Sequence, residues 1–331
     1  MTNEERRMRT EDSPRTLMYE QATAATFVAS PYHRPIIGGM NDLDALTPQD
    51  LHDFYQHWYV PGNAALAAAG DVEVADVKRL AEKYYGHVVA RPVPSRKPRI
   101  EPEQESLSQI KFNAPASQAY VTLPFKAPQL RAVDLGAGGV MDMAPSHEAL
   151  ALTVLSVVPD GYSDARLERA LVQGQGGVPG KPAVRVAHSA GASSSLAGRG
   201  PQLFALDGVP AEGKSTQQVA VALREQVALV AKDGVSAAEL NRVKVQWAAS
   251  ETYKLDSMFN QANELGSNGV HGMPLDTSTR VIAALRTITS AEVQGVAVKY
   301  FGDDQLTQAT LLPQPIDPNR KPRAAALGAR L

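Results

Sequence analysis

The feature that most constrains this 331-residue sequence is an internal repeat at an offset of 242 residues, without gaps. Each copy opens with a capping box, formed by Thr47 with Asp50 and by Thr289 with Glu292. An amphipathic helix follows in each copy, and a strand-like segment comes next, at residues 64–69 and 306–312. Two amphipathic helices can look alike by chance, but the shared cap, helix length and following strand favour a true repeat. The matched positions are Leu43, Leu46, Thr47, Asp50, Leu51, Phe54, Trp58 and Tyr59 in the first copy, and Leu285, Ile288, Thr289, Glu292, Val293, Val296, Tyr300 and Phe301 in the second.

The two copies differ in how much chain precedes them. The second closes a long segment that starts near residue 110 and ends near residue 313, whereas the first has only the residues before position 45 ahead of it. If the repeated units are alike, the chain starts midway through its first unit, and on the order of 130 residues of that unit are absent. We therefore expect a truncated first unit.

The composition bounds the class of protein. The chain has a net charge of −2, which argues against a nucleic-acid surface, and it has no cysteine, which excludes disulfides, Cys-zinc sites and thiol catalysis. No apolar run approaches the length of a membrane span, and residues 1–7 are charged without an apolar stretch, so no signal peptide is visible. The compartment is left open; a periplasmic location is expected only if a full-length form carries a signal.

Strand-like and helical segments mix without strict alternation. Strands are predicted at residues 109–112, 119–125, 184–191 and 202–208, and capped helices at residues 47–59, at 215–232 and from 236, where Ser236 and Glu239 predict a further capping box. Residues 2–26 predict a helix weakened by Pro14. The fold class is therefore α+β, with repeated units that each hold a largely antiparallel sheet flanked by helices.

The predicted domain organisation has four parts. Residues 1–90 are the second half of a first unit, and residues 107–315 are a complete second unit. Proline and charge dominate residues 91–106, as in an extended linker. Residues 316–331 are predicted to be a disordered tail.

The first unit carries a family likeness. The relevant residues are Glu4 to Arg9, Ser30-Pro31-Tyr32, Asp42 to Leu51, Phe54-Tyr55, Trp58 to Asn63, Ala69 to Val72 and Ala81 to Gly86. This pattern resembles the insulinase and pitrilysin-like zinc peptidases, the group that includes mitochondrial processing peptidase. The likeness is strong over residues 4–90 and looser over 107–315. It implies repeated α+β units, in agreement with the internal repeat.

The resemblance implies a zinc site of which this chain holds one part. In the family, two His and a general-base Glu form an HxxEH helix, and a further Glu some seventy to eighty residues later completes the zinc ligands. By motif match that further Glu is Glu5, with Glu4 its neighbour. None of the seven histidines belongs to an HxxEH motif, so no catalytic residue of this kind lies in the chain. The Zn²⁺ of a complete family member would therefore not be bound by this chain alone.

The resemblance also implies a partner. Some family members carry an Arg and a Tyr in the second unit that grip the peptide backbone, and the comparable stretch here, residues 183–190, has Arg185 but no Tyr. Paired bacterial members divide the work between a zinc-side subunit and a partner with the Arg/Tyr pair. Because it has Glu5 and no Tyr in residues 183–190, this chain resembles the zinc-side subunit. Arg185 is a candidate substrate contact.

Two functions are thus predicted as alternatives. One is a zinc-dependent endopeptidase subunit, inactive alone, that hydrolyses peptides with a homologous second subunit. The other is a non-catalytic interaction subunit, kept for its fold, as in core subunits of respiratory complexes related to this family. Such a subunit would expose apolar residues such as Leu51, Phe54 and Trp58 and would need a partner.

Overall fold

The computed structural model describes residues 2–131, 135, 144–162, 165–175 and 184–316. The predicted tail from residue 317 onward therefore lies outside the described residues. The helices are α1 (Thr2–Arg6), α2 (Pro14–Thr26), α3 (Met40–Ala45), α4 (Pro48–Trp58), α5 (Val74–Tyr85), α6 (Ala144–Asp160), α7 (Thr216–Asp233), α8 (Ala237–Lys254), α9 (Met258–His271), α10 (Thr277–Thr287) and α11 (Ser290–Lys299). The strands are β1 (Ser108–Pro115), β2 (Tyr120–Ala127), β3 (Ala187–Ser194), β4 (Gln202–Pro210) and β5 (Thr307–Gln314).

The five strands form one mixed sheet in the order β1-β5-β2-β4-β3. Only β1 and β5 run parallel, and the other neighbouring pairs are antiparallel. The predicted α+β class with a largely antiparallel sheet is therefore confirmed. Helices α6 and α7 pack on one face of this sheet over the main hydrophobic core, and α11 packs against both of these helices. Helix α2 covers β1, β5 and β2 on the opposite face, through Met18 and Ala22.

Local signals in the sequence explain several element ends. Both repeat helices start at complete capping boxes, with Thr47 and Thr289 each accepting from the amide three residues on. The predicted helix over residues 2–26 is interrupted, because a π-helical turn at Arg7–Glu11 follows α1 and a new helix begins at Pro14, capped by Ser13. The box predicted at Ser236 is half formed: Ser236 accepts from the Glu239 amide, but the Glu239 carboxylate binds Arg166 at 2.6 and 2.8 Å instead.

The strand predicted at residues 64–69 is not formed. Its counterpart β5 lies between β1 and β2, so that its backbone groups bond on both sides. Within the described residues no strand lies beside residues 64–69, and an extended segment without a neighbour cannot form a ladder. The prediction was wrong because strand propensity is local and strand pairing is not.

Among the described residues, no single helix is both long and apolar enough to cross a bilayer. Helices α10 and α11 reach that length and apolar character only when taken together, and they are bent by 96° at their junction.

Candidate functional site: Glu5 and the groove between the units

Glu5 lies on α1 and lines a groove between the first and second units. Its side chain is 44% exposed, and its Oε1 lies 3.3 Å from the Nε of Arg9, one helical turn on. Its neighbour Glu4 pairs with Arg7 at the surface. Both carboxylates are therefore accessible, and each has a nearby cation that would compete with a metal ion.

The helix that carries Glu5 is anchored by Arg6, whose side chain is only 5% exposed. Its guanidinium donates to both carboxylate oxygens of Glu20 at 3.0 Å, to Glu11 at 3.0 Å and to the carbonyl of Gly38 at 2.8 Å. The hydrogen bond to Glu20 is the largest effect and raises the pKa of Arg6, so the guanidinium stays charged. Arg6 thus fixes α1 against α2 and holds Glu5 on the outward side.

The groove has a volume of about 740 Å³. Residues of the first unit form one wall and residues of the β3–β4 connection form the other. Apolar side chains predominate between these walls, and Glu5 and Arg9 lie on the α1 side. The lining includes Tyr19, Phe27, Tyr32, Ile36, Gln202 and Leu203.

Arg185 lies in a different pocket, of about 590 Å³, together with His188, Glu212 and Lys214. Its Nε donates to the carbonyl of Ala187 at 3.4 Å, and its terminal nitrogen lies 3.4 Å from the His188 Nδ1. The structure therefore does not bring Glu5 and Arg185 into one pocket. Residue 183 of the predicted substrate-gripping stretch lies outside the described residues.

The residues present do not form a complete zinc site. Across residues 2–131, 135, 144–162, 165–175 and 184–316, no group of three or more His, Cys, Asp or Glu side chains could hold a metal ion. Three histidines are engaged locally instead: the Nδ1 of His33 lies 2.6 Å from the Ser30 carbonyl, that of His271 lies 2.8 Å from the Ser267 carbonyl, and that of His147 lies 2.8 Å from Glu292. Glu5 is a single carboxylate, whereas catalytic zinc requires three protein ligands.

The internal repeat aligns Glu5 with a residue of the second unit. Glu5 corresponds to Trp247 on α8, and Trp247 packs against the main core. Helix α8 contacts α10 and α6. Helix α1 contacts α3, the counterpart of α10, but the described part of the chain contains no counterpart of α6 beside it. In the second unit, the position equivalent to Glu5 therefore lies on a helix that packs against α6.

The sequence analysis did not identify Arg6 as the anchor of α1, or Trp247 as the counterpart of Glu5 in the repeat. Arg6 lies in a run of charged residues, which reads as a solvated helix face, and its partners Glu20 and Gly38 are 14 and 32 residues away. The signal for Trp247 was available, because the repeat offset that aligns the two capping boxes also aligns Glu5 with Trp247.

The sequence of this chain is similar to zinc proteases of other organisms. The family model described as the peptidase M16 inactive domain matches residues 45–246. The zinc protease PqqE of Helicobacter pylori is 26% identical over 94% of this chain, and the uncharacterized zinc protease YmxG of Bacillus subtilis is 23% identical over 89% of it. The chain spans 65% of the length of each of these two relatives.

A solved structure extends the likeness to three dimensions. The crystal structure of a protease from Helicobacter pylori superposes with a TM-score of 0.79 at 21% identity, covering 94% of this chain and 70% of that protein. At this level of identity the match establishes the fold.

Proposed function

Because the chain belongs to the peptidase M16 family, we propose that it is the zinc-side subunit of an M16 endopeptidase and is inactive alone. In this proposal Glu5 supplies one zinc ligand, and the remaining ligands and the general base come from an HxxEH helix in the position that α6 occupies in the second unit. Residues 107–315 supply the inactive-type unit that faces the peptide. A homologous M16 subunit with the Arg/Tyr pair completes the enzyme.

The observation that carries the proposal is the contrast in burial between the two copies of the repeat. Leu46 is 48% exposed and its counterpart Ile288 is 0% exposed; Leu51 is 61% exposed and its counterpart Val293 is 0% exposed. A monomeric protein rarely leaves a large continuous apolar face open to water. We infer that the first unit is completed by a half-unit like the one that covers α11, which is where the HxxEH helix would be.

The aromatic residues show the same contrast. In the second unit the ring of Phe301 packs against Phe125 and Phe204, with centroids 4.8 Å apart in each pair. Its counterpart Tyr59 is 63% exposed and stacks on Tyr55, at 4.7 Å. The surface formed by Leu46, Leu51 and Tyr59 therefore has the composition of a hydrophobic core but is exposed. This supports a further half-unit that buries it, rather than a surface that faces solvent in the working protein.

Zinc binding and proteolysis by the purified chain test the proposal. We expect calorimetric titration with Zn²⁺ to show no stoichiometric tight binding, with Glu5→Gln behaving like the parent chain, and we expect no cleavage of unstructured peptides. The DNA upstream of the Met1 codon should encode HxxEH roughly seventy to eighty codons before Glu5, the spacing that the family resemblance implies. Tight zinc binding and cleavage of peptides by the chain alone would show that it holds a complete zinc site, and would refute the proposal.

A non-catalytic interaction subunit is the second candidate. It is favoured by the lack of a metal-ligand cluster among the described residues and by the match to an inactive domain. An upstream reading frame without HxxEH would select it over the zinc-side subunit. Light scattering that shows a stable, monodisperse monomer of the isolated chain would count against it, because its open apolar face calls for a partner.

A further inference from the structure

Glu101 lies in the segment between α5 and β1, which has no helix or strand, yet its side chain is only 2% exposed. Its Oε1 accepts from the Val28 amide at 2.9 Å, and its Oε2 accepts from the Ala29 and Ser30 amides at 2.9 and 2.7 Å. The Nζ of Lys126 donates to Oε1 at 2.7 Å. Both carboxylate oxygens are thus fully used.

The chemistry of this contact favours an ionised carboxylate. Successive backbone amides that point to one place form an anion-binding concavity, and Lys126 adds a full positive charge beside it. Burial alone would raise the pKa of Glu101, but the Lys126 ammonium and the three amides outweigh it and lower the pKa to about 2. The carboxylate is therefore charged at neutral pH, where its four hydrogen bonds hold it in place.

The partners of Glu101 come from both units. The amides belong to the turn that follows α2 in the first unit, whereas Lys126 lies near the end of β2 in the second. A second contact lies close by, since the Tyr32 hydroxyl accepts from the Arg199 amide at 2.8 Å. The same turn continues into the residues that form the first-unit wall of the groove next to Glu5.

We propose that Glu101 is an inter-unit latch, a positioning residue that holds residues 28–34 against the second unit and thereby sets the width of the groove. The latch acts through the chain it holds and does not touch a substrate. It stands apart from the proposed zinc chemistry, because each of its contacts lies within this chain.

The test compares Glu101→Gln, Lys126→Met and the control Glu103→Gln, which removes an exposed charge from the same linker. A Gln side chain presents an NH₂ group to donors, so the amides of Val28, Ala29 and Ser30 should exchange with deuterium about 10- to 100-fold faster in Glu101→Gln. Lys126→Met should leave these amides protected, because the linker carboxylate still accepts from them.

Groove width distinguishes a latch between the units from a residue that only stabilises the turn at residues 28–30. The chain has no cysteine, so Ile36→Cys and Ser195→Cys, which lie on opposite walls, can carry spin labels. Both Glu101→Gln and Lys126→Met should broaden the label distance distribution, and Glu103→Gln should not. Faster amide exchange in Glu101→Gln, together with an unchanged label distance in both Glu101→Gln and Lys126→Met, would overturn the proposal. If Glu101→Gln fails to fold, the distance in Lys126→Met decides the question alone.

Discussion

Two substitutions at equivalent positions of the repeat, Ile288→Ala and Leu46→Ala, test the exposure of the first unit. Ile288 is 0% exposed in the main core, so its truncation removes apolar contacts and leaves a cavity that costs ~2–5 kcal/mol. Leu46 is 48% exposed, so its truncation in the isolated chain should change the free energy of unfolding by less than ~0.5 kcal/mol.

Urea unfolding measured by tryptophan fluorescence follows the two units separately. Trp58 lies on α4 and Trp247 on α8, and the sequence has no other tryptophan. With a urea dependence of about 3 kcal/mol per molar, Ile288→Ala should lower the Trp247 midpoint by about 0.7–1.7 M. Leu46→Ala should leave the Trp58 midpoint almost unchanged, and Trp→Phe variants assign each signal.

An equal loss of stability in the two variants would refute the reasoning. It would mean that Leu46 is buried in the isolated chain, so that no further half-unit is needed to cover it. If a covering half-unit is supplied and binds, Leu46→Ala should then weaken that complex, as Ile288→Ala weakens the second unit.

Three further outcomes follow from the contacts described above. Arg6→Met leaves Glu20 without its buried cation and should lower the free energy of unfolding by ~3 kcal/mol. This loss is near the low end for buried ion pairs because the Glu20 side chain keeps 26% exposure. Thermal unfolding measures the loss, and an unchanged unfolding temperature would contradict the anchoring role of Arg6. The pKa of Glu101 is depressed, so its stabilising effect is complete above pH 4.5 and is lost as pH falls towards about 2; acid titration should show this loss in the parent and not in Glu101→Gln. Thr289→Ala removes half of a capping box and should cost ~1 kcal/mol, seen as faster amide exchange in the first turn of α11; unchanged exchange would contradict it.

Capping boxes and the helices they start could be predicted because both partners lie within three residues. Thr47 with Asp50 and Thr289 with Glu292 form the predicted bonds in both copies. Strands were predictable only where a partner strand exists. The segments that became β2 and β4 pair with neighbouring strands, whereas residues 64–69 pair with no strand within the described residues.

The candidate site could be predicted only in part. Glu5 was singled out by resemblance, and its role as a zinc ligand stays a prediction. Glu101 could not be found, because prolines and charges around it are typical of a solvated linker, and its amide partners lie more than 70 residues earlier. Contacts of that separation depend on the assembled fold and leave no local pattern.

The position of β5 has a consequence for biosynthesis. Thr307 of β5 pairs with Ser108 of β1, and β5 is inserted between β1 and β2. While a ribosome makes this chain, both early strands must wait for about two hundred further residues, with the edges that will receive β5 unpaired. Folding that depends on such distant contacts is slow, and unpaired strand edges invite aggregation. Chaperone supply and growth temperature should therefore govern the soluble yield of this protein.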